Sequence, residues 1–356
     1  MSVKRLWVLA LLLTLALLST TVSVLVRANV APIPLSYQRV TTMSGPDIPP
    51  HVATWAFDIS WVDEATQRYY LADASNARVD IFDARTTTFL GAIGGFTGFH
   101  GSRETQGPAG LLTDDLYQLW VGDGDSSVKV IDLFSHAIVA RISTGGTRRA
   151  DELAYDPQEQ VLLVTNGSDK PPFASFISVT RRKLMGRIVF GEAMQGLEAP
   201  AWDAVTHKFY VSVPATRSAP GGEIAVIDPL SMQVVATYPV SNCTPSGLAL
   251  GPNQNLLLGC SGHPLILDVT SGRVIATIAQ VNGCDEVWYN AGDRRYYLAA
   301  FTNASGPVLS IVNAETGRWI ANIRTATKAH SVAADAANNH VFVPLGGQGI
   351  GVYAQT

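Results

Sequence analysis

The chain has no surplus of basic residues: 25 Lys and Arg stand against 29 Asp and Glu, a formal net charge of −4. Proteins that grip nucleic acid neutralise phosphates with clustered Lys and Arg, so nucleic-acid recognition is not expected. Charge of either sign is sparse, 15% of residues against 47% hydrophobic, which excludes a self-repelling disordered chain. No C-x-x-C-H occurs for haem attachment, and no G-x-S-x-G elbow marks a serine hydrolase. The Gly-rich stretch Gly91–Gly110 leads into no helical pattern that would hold a phosphate, so no nucleotide is expected either. Cysteine is limited to Cys243, Cys260 and Cys284.

What is present reads as an exported, turn-rich domain. Lys4 and Arg5 precede an almost unbroken apolar run from Leu6 to Leu18, and Val26-Arg27-Ala28 offers a small-residue cleavage site. A signal peptide over residues 1–28 is expected, with an uncleaved anchor as the alternative because apolar character continues to Val26. Either way residues 29–356 form a single domain outside the cytoplasm, in the periplasm, at the surface or secreted. The membrane is met only through the N-terminal segment, if that stays attached.

A repeat dominates the remainder. Val79–Ile93, Val128–Ile142, Ile224–Tyr238, Leu265–Ile278 and Leu309–Ile323 each alternate apolar residues, pass an Asp or Asn and a short turn, and alternate again. Period-two apolarity over five or six residues is a half-buried strand, and Asp, Ser and Gly suit the turn between strands. Each segment is therefore a hairpin. A second, inner hairpin precedes each outer one, and seven inner hairpins can be counted from Ile59–Asp73 to Val332–Leu345.

One four-stranded unit cannot bury both its faces alone, so tandem units of this kind close into a radial array. The fold expected is all-β, a seven-bladed β-propeller of four-stranded antiparallel blades. The last unit supplies only three strands, and Ser36–Thr42, which alternates like a strand, is expected to complete it and so remove an exposed edge. The third unit lacks the Asp before its outer turn, in PPFASFISVTRRKLMGRI, which leaves that loop open.

This hairpin pattern, together with LLVTN at Leu162–Asn166, resembles the YVTN-type β-propeller repeat family of exported bacterial and archaeal proteins. The resemblance implies fold and export. It does not imply one function, since a common fold hosts many.

Aligning the inner strands on Asp63, Asp114, Asp156, Asp203, Gly251, Asn290 and Asp335 reads out a ring at the channel mouth. Five positions earlier stand Asp58, Ala109, Asp151, Glu198, Ser246, Asp285 and His330, followed by Ile59, Gly110, Glu152, Ala199, Gly247, Glu286 and Ser331. Asp and Glu are depleted in strands, and carboxylates crowded near an axis repel unless a cation sits among them or some are protonated. Asp58, Asp151, Glu198, Asp285 and His330 are thus the candidate ligand or metal-binding residues. Oxygen ligands with one imidazole suit one calcium, magnesium or manganese ion, zinc less well. His330, Glu152 and Glu286 are the candidate acid–base groups. The idea of such a site is similar to that of gluconolactonase-type propellers, although no motif of theirs is present.

Two functions fit. One is an exported propeller that binds a small molecule, peptide or partner protein at its mouth. The other is a divalent-metal-dependent hydrolase, lactonase or lyase using the acidic and histidine cluster. Asp73, Asp123 and Asn166 close second strands at the same end and are secondary ligand candidates. Gly91–Gly110, with His100 and Arg103, and Gly167–Ser175, with Asp169 and Lys170, are long connections expected to shape specificity. Among the tryptophans, Trp55 is the one placed to line the mouth. Counting cannot separate the three cysteine pairings. Cys243 and Cys260 bracket one unit's mouth-end loop, which favours their disulfide, with a soft-metal set of Cys260, His263 and Cys284 as the alternative.

Overall fold

The structure is a computed structural model that describes residues 36–49 and 55–356; the expected signal segment lies outside the described residues. Every described strand falls into one of seven four-stranded antiparallel sheets. Blade 1 spans Ser60–Gly94, blade 2 Leu111–Ser143, blade 3 Leu153–Val189 and blade 4 Pro200–Pro239. Blade 5 spans Pro245–Thr277, blade 6 Val287–Arg324 and blade 7 Ala333–Gln355. No helix among the described residues is long and apolar enough to cross a membrane.

Alternation explains the packing. On the second strand of blade 3, Leu162 and Val164 enter a cluster with Trp120 and Val130 of blade 2, while Val161 and Leu163 enter another with Phe209 and Val211 of blade 4. Every blade is apolar on both faces, and each interface between neighbours carries its own core; blades 7 and 1 meet through Phe342, Val352, Tyr69 and Leu71. An open array would leave two such faces wet. At about 25 cal/mol per Å² of apolar surface, that exposure is far costlier than closing the ring.

The closing strand runs Tyr37–Met43, one residue later than Ser36–Thr42. It pairs with Gly349–Gln355, bringing Tyr37 opposite Gln355 and Met43 opposite Ile350. Its ends are buried and its middle is exposed.

The outer turns are held by side chains. Asp83 Oδ1 accepts from the amides of Arg85 and Thr86, Asp132 Oδ1 from those of Phe134 and Ser135, and Asn313 Oδ1 from those of Glu315 and Thr316. In blade 3 Ser178 stands in for the missing Asp, its Oγ accepting from the Arg181 amide at 3.3 Å. A left-handed residue stands one or two places before the return strands of these turns. Gly272 (φ 68°) and Gly317 (φ 65°) adopt this freely, whereas His136 and Arg182 hold it at φ 56° and 49°.

Candidate functional site

The register read from the sequence is the register of the fold. Ala72, Gly122, Thr165, Ser212 and Ala299, at matching places on the second strands, donate their amides to the carbonyls of Ile59, Gly110, Glu152, Ala199 and Glu286. Five of the seven units, including the first and fourth, therefore share one alignment. Six of the seven ring residues lie two or three places ahead of the inner strands, where adjacent blades touch, and Ser246 lies within its strand, Pro245–Leu250. The amides of Gly110, Gly247 and Glu286 donate to the carbonyls of Asp151, Asp285 and His330 on the next blade. A Cβ on Gly110 would lie 2.2 Å from the Asp151 carbonyl, so only glycine allows that approach.

The cation at the centre is one the sequence reading missed. Arg149, in the connection from blade 2 to blade 3, pairs through Nη1 with Asp58 of blade 1 and through Nη2 with Asp151 at 2.7 Å. Its side chain is 12% exposed. The signal was present as TRRAD (Thr147–Asp151), a basic pair two residues ahead of a ring aspartate, but nothing local aims it at blade 1. Gln106, from the long connection after blade 1, adds a hydrogen bond from Nε2 to Asp58 Oδ2 at 3.1 Å.

The carboxyls respond unequally. Burial acts to raise Asp58, but the Arg149 guanidinium opposes it most strongly, and the carboxyl is held well below the usual range. Asp151 is pushed up to about 6 by burial, with Arg149 opposing and the Asp58 charge adding. Glu198 rises to about 8 through burial and the nearby Asp151 and Asp285. Glu152 and Glu286 are raised well above the ordinary range, first by burial, then by Glu286 on the one and Asp285 on the other. One guanidinium compensates two carboxylates and leaves four acidic side chains crowded about the axis.

Those four border a cavity of about 340 Å³ with Asp58, Ser246 and Arg103 on its wall. Ser246 Oγ donates to Asp285 Oδ1 at 3.0 Å. Beside it lies a second cavity, about 140 Å³, walled by Trp55, Phe57, Phe99 and His330; Arg103 and Phe301 border both. A third, of about 410 Å³, opens past Arg149, Asp151 and Glu198 between the Gly167–Pro172 and Gly191–Leu197 segments. Both long connections thus shape the mouth. Asp169 braces the second by accepting from Thr147 N at 2.8 Å and Oγ1 at 2.9 Å.

His330 joins the cluster at its edge. Its Nδ1 lies 2.8 Å from the Lys328 carbonyl and its Nε2 3.7 Å from Asp58 Oδ1, and its ring stacks on Phe57 at 4.8 Å. The secondary candidates Asp73, Asp123 and Asn166 are fully buried and engaged within the blades. Asp73 accepts from Trp55 Nε1 and Asn76 Nδ2, Asp123 pairs with Lys129, and Asn166 Nδ2 donates to Ser126 Oγ. His100 is exposed, with Nε2 on the Thr97 carbonyl. Among the described residues no three or more His, Cys, Asp or Glu side chains are grouped as ready-made metal ligands.

Cys243 and Cys260 form a disulfide, and Cys284 is free and buried. This corrects the soft-metal alternative, because Cys260 is bonded to Cys243 and His263 Nδ1 meets the Val281 carbonyl at 2.7 Å.

No known family model matches the chain, and no curated protein matches it either. Among solved structures, the chain is similar in fold to a chain in the crystal structure of the mitotic checkpoint complex, with a TM-score of 0.70 and 12% identity over 92% of this chain and 94% of the other. At that identity the likeness extends to the fold alone: this protein is a seven-bladed β-propeller.

Proposed function

We propose that this protein is an exported propeller whose channel mouth binds a cationic ligand, either a small organic cation or a basic group on a peptide. The observation that carries this reading is the charge imbalance at the axis. Arg149 is committed to Asp58 and Asp151, while Glu152, Glu198, Asp285 and Glu286 share a cavity of about 340 Å³ in which Arg103 is the other cationic side chain among the described residues. A cation entering there offsets the burial and mutual repulsion that raise Glu152, Glu198 and Glu286. The disulfide favours an oxidising compartment. The resemblance of the repeats to YVTN-type propellers favours export.

A second reading is a divalent-metal-dependent hydrolase, lactonase or lyase. It is supported by the perturbed acids Glu152 and Glu286, which are placed to exchange protons in a cavity. Arg149 takes one oxygen each of Asp58 and Asp151, so a metal would draw mainly on Glu198, Asp285 and Glu286.

Calorimetric titration of the mature domain with agmatine, spermidine and calcium, magnesium, manganese and zinc salts separates the two. Saturable binding of an organic cation, lost in Glu198→Gln and Asp285→Asn, supports the binding reading. One tightly held divalent ion per chain, with a melt that falls in chelator, replaces it with the metal reading. Binding of neither kind overturns both.

A further inference from the structure

The aromatic cavity beside the carboxylates is a built subsite. Trp55 and Phe57 are buried, and Phe99 and Phe301 complete walls of four rings around about 140 Å³. A dry cavity of roughly 150 Å³ admits one benzene ring, so this one is sized for a single aromatic group. Among the described residues no carboxylate borders it, and the cationic side chains Arg103 and Lys328 stand at its exposed rim.

His330 supplies an independent sign of a missing partner. It is 6% exposed, and among the described residues Nε2 has no hydrogen-bond partner while Nδ1 is engaged by the Lys328 carbonyl. With Nδ1–H donating to that carbonyl, Nε2 presents a bare lone pair, and a buried acceptor without a donor is costly. Asp58, whose Oδ1 lies 3.7 Å from Nε2, borders the other cavity. Nε2 and Asp58 therefore make an acceptor pair at the seam between an apolar pocket and an acidic one.

Resting on the cation-binding reading above, we infer that the ligand is an aromatic α-amino acid, free or at the end of a short peptide. Its ring fills the pocket of Trp55, Phe57, Phe99 and Phe301. Its ammonium group donates to His330 Nε2 and Asp58 at the seam, facing the carboxylate cavity. Its carboxylate meets Arg103, which borders both cavities, and Lys328 at the rim. A purely acidic cavity would select any cation; the adjoining rings and the rim cations narrow the choice to a molecule carrying all three groups.

The test is calorimetric titration of the mature domain with L-phenylalanine, phenethylamine, 3-phenylpropionate and agmatine. Phenylalanine is expected to bind tightest, with at least a tenfold loss when the carboxylate or the ammonium is removed. Phe99→Ala, a half-buried loop change outside the acidic cavity, is expected to weaken phenylalanine at least tenfold and agmatine less than twofold. His330→Ala weakens phenylalanine and phenethylamine but not phenylpropionate. Agmatine binding as tightly as phenylalanine, with Phe99→Ala silent, overturns this inference and leaves the cation site standing. Phenylpropionate binding alone overturns both, because the ammonium then plays no part.

Discussion

The Arg149 guanidinium meets the Asp58 carboxylate across the channel mouth although 91 positions separate them in the chain. The contact joins the connection into blade 3 with the first inner strand, and Asp151 takes the other arm of the same fork. A planar guanidinium with donors in fixed directions can serve both acids at once, which an ammonium cannot.

Arg149→Met strands two buried carboxylates. Removing one partner of a buried ion pair costs about 3–5 kcal/mol, and urea denaturation is expected to show a loss of that size. Adding Asp58→Asn and Asp151→Asn to Arg149→Met should recover most of it. An unchanged midpoint in Arg149→Met would show that the ion pair does not support the fold.

Stability in the absence of ligand should decline with rising pH. Glu198 and Asp80 have folded-state values near 8, Asp80 through burial and the neighbouring Asp73. In the unfolded chain both titrate in the ordinary carboxyl range. For these two groups folding takes up protons between about pH 4 and 8, so the stability they contribute is fully present below that window and is lost as pH climbs through it. Melting temperatures at pH 5, 6.5 and 8 are expected to fall in that order, and Glu198→Gln should flatten the trend. A cationic ligand that ionises Glu198 should release protons, measured as a binding enthalpy at pH 6.5 that varies with buffer ionisation heat.

Opening the disulfide should weaken both fold and mouth. Cys243 and Cys260 lie 17 apart in sequence, and closing a loop of about that length is worth about 3 kcal/mol in the chain-entropy account. The bridged segments also hold backbone bonds, Gly262 N to the Cys243 carbonyl and Cys284 N to the Cys260 carbonyl, next to cavity-wall residues Ser261 and Cys284. The Cys243→Ser/Cys260→Ser double variant is expected to lose about 3 kcal/mol in denaturant and to bind agmatine more weakly. Equal affinity would separate the bridge from the site.

Closure by the N-terminal strand can be read through one side chain. Met43 is 1% exposed and packs between blades 7 and 1 with Ile48 and Phe82. Met43→Ala should cost about 2–5 kcal/mol, whereas the exposed Thr41→Ala on the same strand should cost less than about 0.5 kcal/mol. Similar effects from the two would mean that the strand's burial pattern does not govern closure.

The propeller was legible in the chain because its causes are local. Alternation such as Val161 to Val164 dictates which face each side chain takes, and apolar residues on both faces demand a neighbour on each side. The turn residue also sits at a constant offset from the ring, so counting five places back from Asp63 or Asp203 reaches Asp58 and Glu198, as the shared hydrogen-bond register bears out. Placing Cys243 and Cys260 at one end of one unit favoured their disulfide over the other pairings, and the structure forms it.

The contents of the mouth were another matter. Arg149 stands in a connection with no periodicity, and only ring closure brings Asp58 of the first blade to it. Phe99 and Phe301 come from segments more than 200 positions apart in the chain and meet Phe57 and His330 around one pocket. Periodicity and turn chemistry determine each blade because they act between near neighbours in sequence. Which charge is compensated, which stays exposed to a ligand, and which rings share a wall depend on distances across the axis, and those exist only once seven blades have closed.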